Sequence, residues 1–131
     1  MTAVRIATVT LVVPDYDEAI SFFVGTLGFE LREDTRLSET KRWVRVAPAG
    51  AETTILLAQP KDETERAAIG NQAGGRVGFF LEVTDFDDTY QAYAERGVDF
   101  VRAPMREPYG TVAVFRDPFG NLWDLIEPAR D

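Results

Sequence analysis

The 131-residue chain contains no histidine and no cysteine. Without cysteine it has neither a disulfide framework nor thiolate chemistry. Without histidine it lacks the commonest general base and the commonest transition-metal ligand. Any catalysis must therefore use carboxylate, tyrosine, lysine or arginine side chains. Any bound metal would have oxygen ligands alone, which suit Mg²⁺ or Ca²⁺ better than Zn²⁺.

Long apolar runs and an excess of positive charge are also missing. No stretch approaches the roughly 20 apolar residues that cross a bilayer, and the N-terminus MTAVRIATVT does not resemble a secretory signal. The formal net charge is −8, from 14 basic and 22 acidic residues, whereas a nucleic-acid binder needs a basic surface. The sequence therefore predicts a cytoplasmic protein with no nucleic-acid or membrane partner. The acidic charge favours solubility or, alternatively, attraction of cationic ligands.

An internal repeat divides the chain. The segment VVPDYDEA at residues 12–19 matches EVTDFDDT at residues 82–89 with an offset of 70. Further matches are Pro48 with Pro118 and Gly50 with Gly120 at the same offset, and Gly28 with Gly97 at an offset of 69. We interpret the slip to 69 as one insertion in a loop between a helix and a strand.

The first copy has the pattern of a strand, a helix and three more strands. Apolar residues alternate from Val9 to Val13, as in a half-buried strand. Asp15 and Glu18 then form a capping-box pattern for a helix that ends at Gly28. The remaining strands of this copy are predicted near residues 29–34, 42–47 and 53–59.

The second copy repeats this order. Phe79 to Val83 alternate as a strand, Asp85 caps a helix, and Gly97 ends it. Strands are predicted near residues 98–102, 111–116 and 121–127, with a hairpin turn at PFGN, residues 118–121. The fold class is therefore α+β, with two tandem βαβββ modules in a single domain of residues 1–131. Module one covers about 4–59, a polar linker 60–75, and module two about 76–128.

Each module has one amphipathic helix, which covers one face of its sheet. The other face needs a ligand or another protein surface. Two such sheets side by side would form a curved, mixed-sheet trough, and concave sites of this kind bind small molecules. The sequence leaves open whether the modules pair within one chain or across a homodimer.

Three stretches resemble signatures of the vicinal-oxygen-chelate superfamily, which includes glyoxalases, bleomycin-resistance proteins and extradiol dioxygenases. They are VTLVVPDYDEAISFFVGTLGFEL at 9–31, FLEVTDFDDTYQAYAERGVDF at 80–100 and PYGTVAVFRDPFGNLWDLIEP at 108–128. The third is the most specific, because a DPxGN turn followed by a strand with a central acidic residue is typical of the family. The resemblance covers nearly the whole chain and implies the glyoxalase/bleomycin-resistance fold.

In metal-dependent members of that superfamily, the first and last strands of each module supply the ligands of one divalent ion. By resemblance these positions fall on Thr8, Thr54, Gly78 and Asp124. The offset of 70 links Thr8 to Gly78 and Thr54 to Asp124. Only Asp124 offers an anionic ligand, since a threonine hydroxyl binds a divalent ion weakly and glycine has no side chain. We therefore predict that the protein holds no metal and no cofactor.

Strand alternation predicts which side chains face the trough, and the offset of 70 transfers the assignment of Arg45 in the first copy to Phe115 in the second. Trp43, Phe80 and Phe115 would offer flat apolar surfaces either to a planar ligand or to a dimer partner. Tyr109 precedes the seventh strand, in a loop that often closes over the pocket in this family. The predicted ligand-binding residues are Thr8, Thr10, Trp43, Arg45, Thr54, Gly78, Phe80, Tyr109 and Phe115.

The charged members of the predicted lining are Arg45, Glu82 and Asp124. They would form either a structural ion-pair network or a set of functional groups. In the functional interpretation Arg45 holds a ligand carboxylate or carbonyl. Asp124 or Glu82 would pair with a ligand cation, or act as a general base if burial raised its pKa.

These features lead to three hypotheses. The first is a metal-free, homodimeric protein that binds a small planar or cationic organic molecule, as the antibiotic-sequestering branch of the superfamily does. The second is a metal-independent isomerase, lyase or cyclase with Asp124 or Glu82 as catalytic base and Arg45 or Tyr109 stabilising negative charge. The third is a metal-dependent lyase or dioxygenase whose ligands differ from the mapped positions, in which Glu82 and Asp124, together with Glu52 or Glu127, converge on the ion.

Overall fold

The computed structural model describes residues 2–130 and divides into two compact units, Met1–Ile69 and Gly70–Asp131. Each unit contains one mixed four-stranded sheet and a helix that follows its first strand. The predicted fold class, two βαβββ modules of the α+β type, is therefore confirmed. Among residues 2–130, no helix is long and apolar enough to cross a membrane.

The first unit has its strands in the order β1-β4-β3-β2. Strand β1 runs parallel to β4, and the other neighbours are antiparallel. Its elements are β1 (Thr8–Val12), α1 (Tyr16–Ile20) with a π-helical continuation (Ser21–Thr26), β2 (Glu30–Arg36), β3 (Arg42–Ala47), β4 (Thr54–Ala58) and α2 (Glu63–Ala68). The core side chains Leu11, Phe23, Val44, Val46 and Leu57 are fully buried.

The helix of the first unit begins as the sequence predicts and changes its geometry midway. Asp15 Oδ2 accepts a hydrogen bond of 2.8 Å from the amide of Glu18, which satisfies one free donor of the first turn. Near the end, the Leu27 amide bonds the carbonyl of Phe22, five residues back, as in a π-helix. A π turn holds one more residue than an α turn. The insertion that we placed in the following loop therefore lies within the helix.

The second unit has the equivalent strand order, β5-β8-β7-β6. Its elements are β5 (Val77–Glu82), α3 (Phe86–Glu95), β6 (Asp99–Glu107), β7 (Gly110–Arg116) and β8 (Leu122–Pro128). The core is aromatic, with Trp123 stacked on Phe79 at 4.3 Å and on Phe115 at 5.8 Å between ring centroids. Strand β6 extends five residues beyond the predicted end at residue 102.

The predicted linker, residues 60–75, contains helix α2. Asp62 Oδ1 accepts a hydrogen bond of 2.9 Å from the Glu65 amide and caps the helix. The boundary between the two compact units, at residues 69 and 70, also falls inside this segment. The sequence analysis assigned no helix to this polar linker, although its Asp-x-x-Glu spacing was itself a helix-start pattern.

The placement of Phe115 on the open face of the second sheet was wrong. Phe115 pairs with Trp123 across β7 and β8, so both side chains lie on the same face. It is fully buried and contacts Tyr93 of α3 edge-on, with ring centroids 6.2 Å apart. The error came from applying the offset of 70 to the third strands of the modules. In the third strands the offset between equivalent residues is 69, so Phe115 corresponds to the buried Val46 and not to Arg45.

Candidate functional site

The open face of the first sheet, opposite α1, carries several of the predicted binding residues. Thr10 pairs with Leu56 in β4, and Leu56 pairs with Arg45 in β3, so these three side chains share one face. Trp43 lies two residues before Arg45 and joins them, with 38% of its surface exposed. This is the face on which the alternation pattern placed Thr10, Trp43 and Arg45.

A cleft of about 480 Å³ opens where β4 ends and β3 begins. Its lining includes predicted residues, Thr10 and Trp43, and residues that the sequence did not indicate. The full lining is Thr10, Tyr16, Thr40, Lys41, Arg42, Trp43, Leu56, Leu57, Ala58, Gln59, Pro60, Lys61 and Glu65. Thr8, Arg45 and Thr54 are not part of this lining. We call this cavity the first-unit cleft.

Arg42 forms a fixed wall of the first-unit cleft. Its guanidinium donates to both carboxylate oxygens of Asp34, at 3.1 and 2.7 Å, and to Asp17 at 2.9 Å. It also lies over the Tyr16 ring, 5.2 Å from the centroid. The hydrogen bond from Arg42 lowers the pKa of Asp34, and the hydrogen bonds to Asp34 and Asp17 raise the pKa of Arg42. The positive charge of Arg42 is thus neutralised by the carboxylates of Asp17 and Asp34.

Two hydrogen bonds hold the base of the cleft. The amide of Tyr16 donates to Gln59 Oε1 at 3.0 Å, which ties the start of α1 to the end of β4. The Tyr16 hydroxyl accepts from the amide of Arg42 at 3.2 Å. The second unit repeats the first contact, because the amide of Phe86 donates to Glu127 Oε1 at 2.8 Å. A comparison of Gln59-Pro60 with Glu127-Pro128 would have revealed this position from sequence.

The predicted residues Thr8, Thr54 and Arg45 form a separate network on the same face. The hydroxyl oxygens of Thr8 and Thr54 are 2.9 Å apart, and Thr54 is only 2% exposed. Arg45 donates to Glu33 Oε1 at 3.0 Å and to the Thr54 hydroxyl at 3.4 Å. These polar atoms satisfy one another, so the network stabilises the sheet.

The open face of the second sheet carries Phe80 and Asp124, which pair across β5 and β8. Phe80 is 68% exposed. Burial raises the pKa of Asp124, and the charge of Arg102 opposes the rise. Glu82 borders a shallow depression of about 190 Å³ together with Glu127 and Arg130.

The remaining predicted residues of the second unit, Gly78 and Tyr109, lie at a strand irregularity and in a turn. Gly78 lies at a register shift between Val77 and Phe79, where β5 bulges against β8. Tyr109 occupies the turn between β6 and β7, with its side chain 60% exposed. Its carbonyl accepts a hydrogen bond of 2.9 Å from the Ala129 amide.

The strand registers correct the assignment of the metal-ligand positions. The amide of Val13 donates to the carbonyl of Ala58, and the equivalent amide of Val83 donates to the carbonyl of Ile126. Ala58 and Ile126 are therefore equivalent residues, and the offset between the modules here is 68. Asp124 therefore corresponds to Leu56, and the link between Thr54 and Asp124 was wrong. A second one-residue insertion, in the β3–β4 connection, explains the difference.

The side chains at these positions do not fit a divalent ion. They comprise one carboxylate, a leucine, a glycine and a threonine hydroxyl already bonded to another, whereas hard cations require several oxygen ligands. Within residues 2–130, no three or more histidine, cysteine, aspartate or glutamate side chains form a group that could hold a metal. The absence of a bound metal in solution stays a prediction that elemental analysis tests.

Residues 5–125 match the family model of the Glyoxalase/Bleomycin resistance protein/Dioxygenase superfamily, and the chain belongs to this superfamily. An uncharacterized protein of Shewanella frigidimarina (strain NCIMB 400) is 50% identical over 124 residues, which are 93% of this chain and 92% of that protein. The crystal structure of UcmS2 superposes with a TM-score of 0.83 at 34% identity, covering 96% of this chain and 99% of that one. TnmS3, an antibiotic binding protein from Streptomyces sp. CB03234, gives a TM-score of 0.79 at 32% identity, with 98% and 99% covered.

Proposed function

We propose that the protein binds a small, planar organic molecule in the first-unit cleft without the help of a metal. The observation that carries this proposal is the half-exposed Trp43 indole in the wall of a cavity of about 480 Å³. Cavities of this size accept drug-sized ligands. The antibiotic-binding role of the similar protein TnmS3 supports sequestration of a natural product as the biological purpose.

Trp43 is suited to hold a flat ligand because its indole is partly exposed and lines the cleft. Leu56 and Thr10 lie beside it on the same face of the sheet. An aromatic ligand stacked on an exposed indole buries apolar area and gains the favourable contact between ring faces. The cleft thus combines an apolar wall with polar groups at its rim, which is the usual composition of small-molecule sites.

Tryptophan fluorescence tests the proposal, because the chain has only two tryptophans. Trp123 is buried in the core of the second unit, at 1% exposure, whereas Trp43 lines the cleft, so Trp43 is the tryptophan that a ligand in the cleft can contact directly. We expect planar aromatic compounds to quench the native protein and to raise its melting temperature. Trp43→Phe should reduce the quenching and weaken binding, so that the ligand stabilises this variant less than the native protein. Val101→Ala, an exposed apolar site in the second unit, is the control that should bind normally.

Thermal stabilisation by the ligand that is unchanged in Trp43→Phe would place the ligand elsewhere. No thermal stabilisation by any of a broad panel of planar compounds would contradict the proposed function itself.

We also propose that the protein is a homodimer. Exposed apolar side chains such as Val4, Ile6, Phe80 and Met105 supply surface that association would cover. Sedimentation velocity at micromolar concentration should give a mass of twice the chain's 14.6 kDa. A species of single-chain mass at that concentration would contradict this assembly.

A second candidate function is proton transfer by Asp124. The observation that favours it is the raised pKa of this carboxyl, which burial produces on a face next to the exposed ring of Phe80. If Asp124 is a base, Asp124→Asn should abolish turnover of a carbon-acid substrate and leave its binding nearly intact. Turnover that survives the substitution would remove Asp124 from this role and leave Glu82 as the alternative.

A further inference from the structure

The lysines of this chain have an unusual distribution. The sequence contains 14 basic residues, and only two of them, Lys41 and Lys61, are lysines. Both line the first-unit cleft. Together with Arg42, the two lysines give the cleft lining three of the chain's 14 basic residues. Of the 22 acidic residues, one, Glu65, belongs to this lining. Because Asp17 and Asp34 neutralise Arg42, the positive charge that this cleft can offer to a ligand comes from the two lysines, in a chain whose net charge is −8.

Local hydrogen bonds fix the backbone at Lys41. The amides of Leu37 and Ser38 donate to the carbonyl of Lys41, at 2.8 and 3.1 Å. The Ser38 hydroxyl accepts from the amides of Thr40 and Lys41, at 3.2 and 3.0 Å. Within residues 2–130, the Lys41 ammonium has no carboxylate within 4.0 Å. Its charge therefore has no carboxylate partner among these residues.

Lys61 approaches the cleft from the segment between β4 and α2. Its ammonium lies 3.7 Å from Glu65 Oε2, while its amide donates to Glu65 Oε1 at 3.1 Å. The side chain of Lys61 is 80% exposed, so this ion pair is weak and readily exchanged. Arg42 differs from both lysines, because Asp17 and Asp34 hold it in place.

We infer that the cleft selects planar ligands that carry a negatively charged group, which Lys41 and Lys61 bind while the ring system stacks on Trp43. This inference rests on the proposed function and narrows its ligands to anions. It disfavours the cationic ligands that the acidic composition of the sequence suggested. A lysine ammonium is a compact charge on a flexible stem, which suits contact with an anion of variable position. Attraction between exposed charges is screened by salt, so affinity should fall as ionic strength rises.

A matched pair of fluorescent probes tests the inference. Anilinonaphthalene sulfonate and N-phenyl-naphthylamine share the same aromatic frame, and only the first carries a negative charge. Both should quench Trp43, because both present flat rings. The sulfonate should bind more tightly at low salt, and this advantage should shrink at high salt.

Substitution of the lysines should remove the preference. We expect Lys41→Gln and Lys61→Gln each to weaken sulfonate binding, by roughly fivefold for a direct contact in water, and to leave the neutral probe unchanged. Arg66→Gln is the matched control, since it removes one positive charge from an exposed residue of α2 outside the cleft lining. It should bind both probes as the native protein does.

The outcomes separate this inference from the proposed function. Equal binding of the two probes, or equal losses in Arg66→Gln and the lysine variants, would overturn the inference and leave the planar-ligand cleft standing. Failure of both probes to bind would overturn the inference, and the proposed function would fall with it if no compound of the broader planar panel stabilised the protein.

Discussion

Asp117 shows how one buried residue organises the hairpin turn between β7 and β8. It is 2% exposed, and its two carboxylate oxygens accept four hydrogen bonds. Oδ1 accepts from the amides of Phe119 and Asn121, at 3.0 and 2.9 Å. Oδ2 accepts from Asn121 Nδ2 and from the indole of Trp123, at 2.9 and 3.0 Å. The turn and the aromatic core of the second unit thus depend on the same side chain.

We predict that Asp117→Ala lowers the free energy of unfolding by about 3 kcal/mol or more, because it leaves buried donors without an acceptor. Urea denaturation followed by far-UV circular dichroism measures the change. Asp99→Ala serves as the control: it removes an exposed carboxylate 4.0 Å from Arg116 and should change stability by less than about 0.5 kcal/mol. Similar losses in both variants would mean that the four hydrogen bonds contribute little.

Asp124 should link stability to pH. Burial raises its pKa in the folded state above the unfolded value, so folding favours the protonated form. Its contribution is fully present below the unfolded pKa, about 3.9, and is lost as pH rises through the folded pKa. Asp124→Asn should therefore stabilise the protein at pH 7 relative to native and lose that advantage near pH 3. An Asn variant less stable at pH 7 would contradict this direction.

At the scale of elements, the two modules differ by two single-residue insertions. The offset between equivalent residues falls from 70 at β1 and β5 to 69 after the first helix, and to 68 at β4 and β8. The matches of Pro48 with Pro118 and of Gly50 with Gly120 at an offset of 70 therefore do not join equivalent positions. The first insertion is absorbed by the π-helical turn, which keeps Gly28 and Gly97 at equivalent helix ends. A strand has a side-chain period of two, so each slip of one residue reverses the faces that a fixed offset predicts.

This explains which parts of the site the sequence could predict. The βαβββ order, the helix caps Asp15 and Asp85, and the open-face position of Trp43 followed from local periodicity, and the structure has them as predicted. Phe115 failed because its face was transferred by offset from the other module. The cleft residues Lys41 and Lys61 were not predicted, because both lie outside regular strands, where alternation gives no direction.

Gly25 lies in the π-helical segment, where its φ is not positive and an added Cβ would meet no atom within 4 Å. Glycine in a helix costs conformational entropy, so Gly25→Ala should raise the free energy of unfolding by about 0.5–1 kcal/mol. Gly110→Ala is the opposing case, since Gly110 has φ +151° and a Cβ there would meet the carbonyl of Glu127. Thermal denaturation should show the first variant stabilised and the second destabilised. Equal shifts in the two variants would contradict the argument from backbone conformation.

At the scale of the whole molecule, the absence of histidine and cysteine leaves few groups to titrate near neutral pH. Carboxylates titrate in acid, and tyrosine, lysine and arginine titrate at about pH 10 or above. We therefore predict that the urea midpoint is nearly constant between about pH 7 and 9. A steep change in that interval, measured in a constant-ionic-strength buffer series, would contradict the prediction.

At pH values above this interval, ionisation of Tyr93 should lower the free energy of unfolding. Burial raises its pKa, with a smaller opposing effect of Arg96. Its contribution to stability is present below the unfolded pKa, about 10, and is lost as pH rises through the folded value. The alkaline limb of the stability curve should therefore be shallower in Tyr93→Phe than in the native protein.

The two lysines give the chain a chemical vulnerability. An acyl donor that reacts with side-chain amines can modify only Lys41 and Lys61, because the other 12 basic residues are arginines. Each acyl group converts an ammonium into a neutral amide. Acetylation would thus remove both lysine charges from the cleft and leave the arginine ion pairs intact. If the proposed anion binding is correct, acyl donors should weaken it without unfolding the protein.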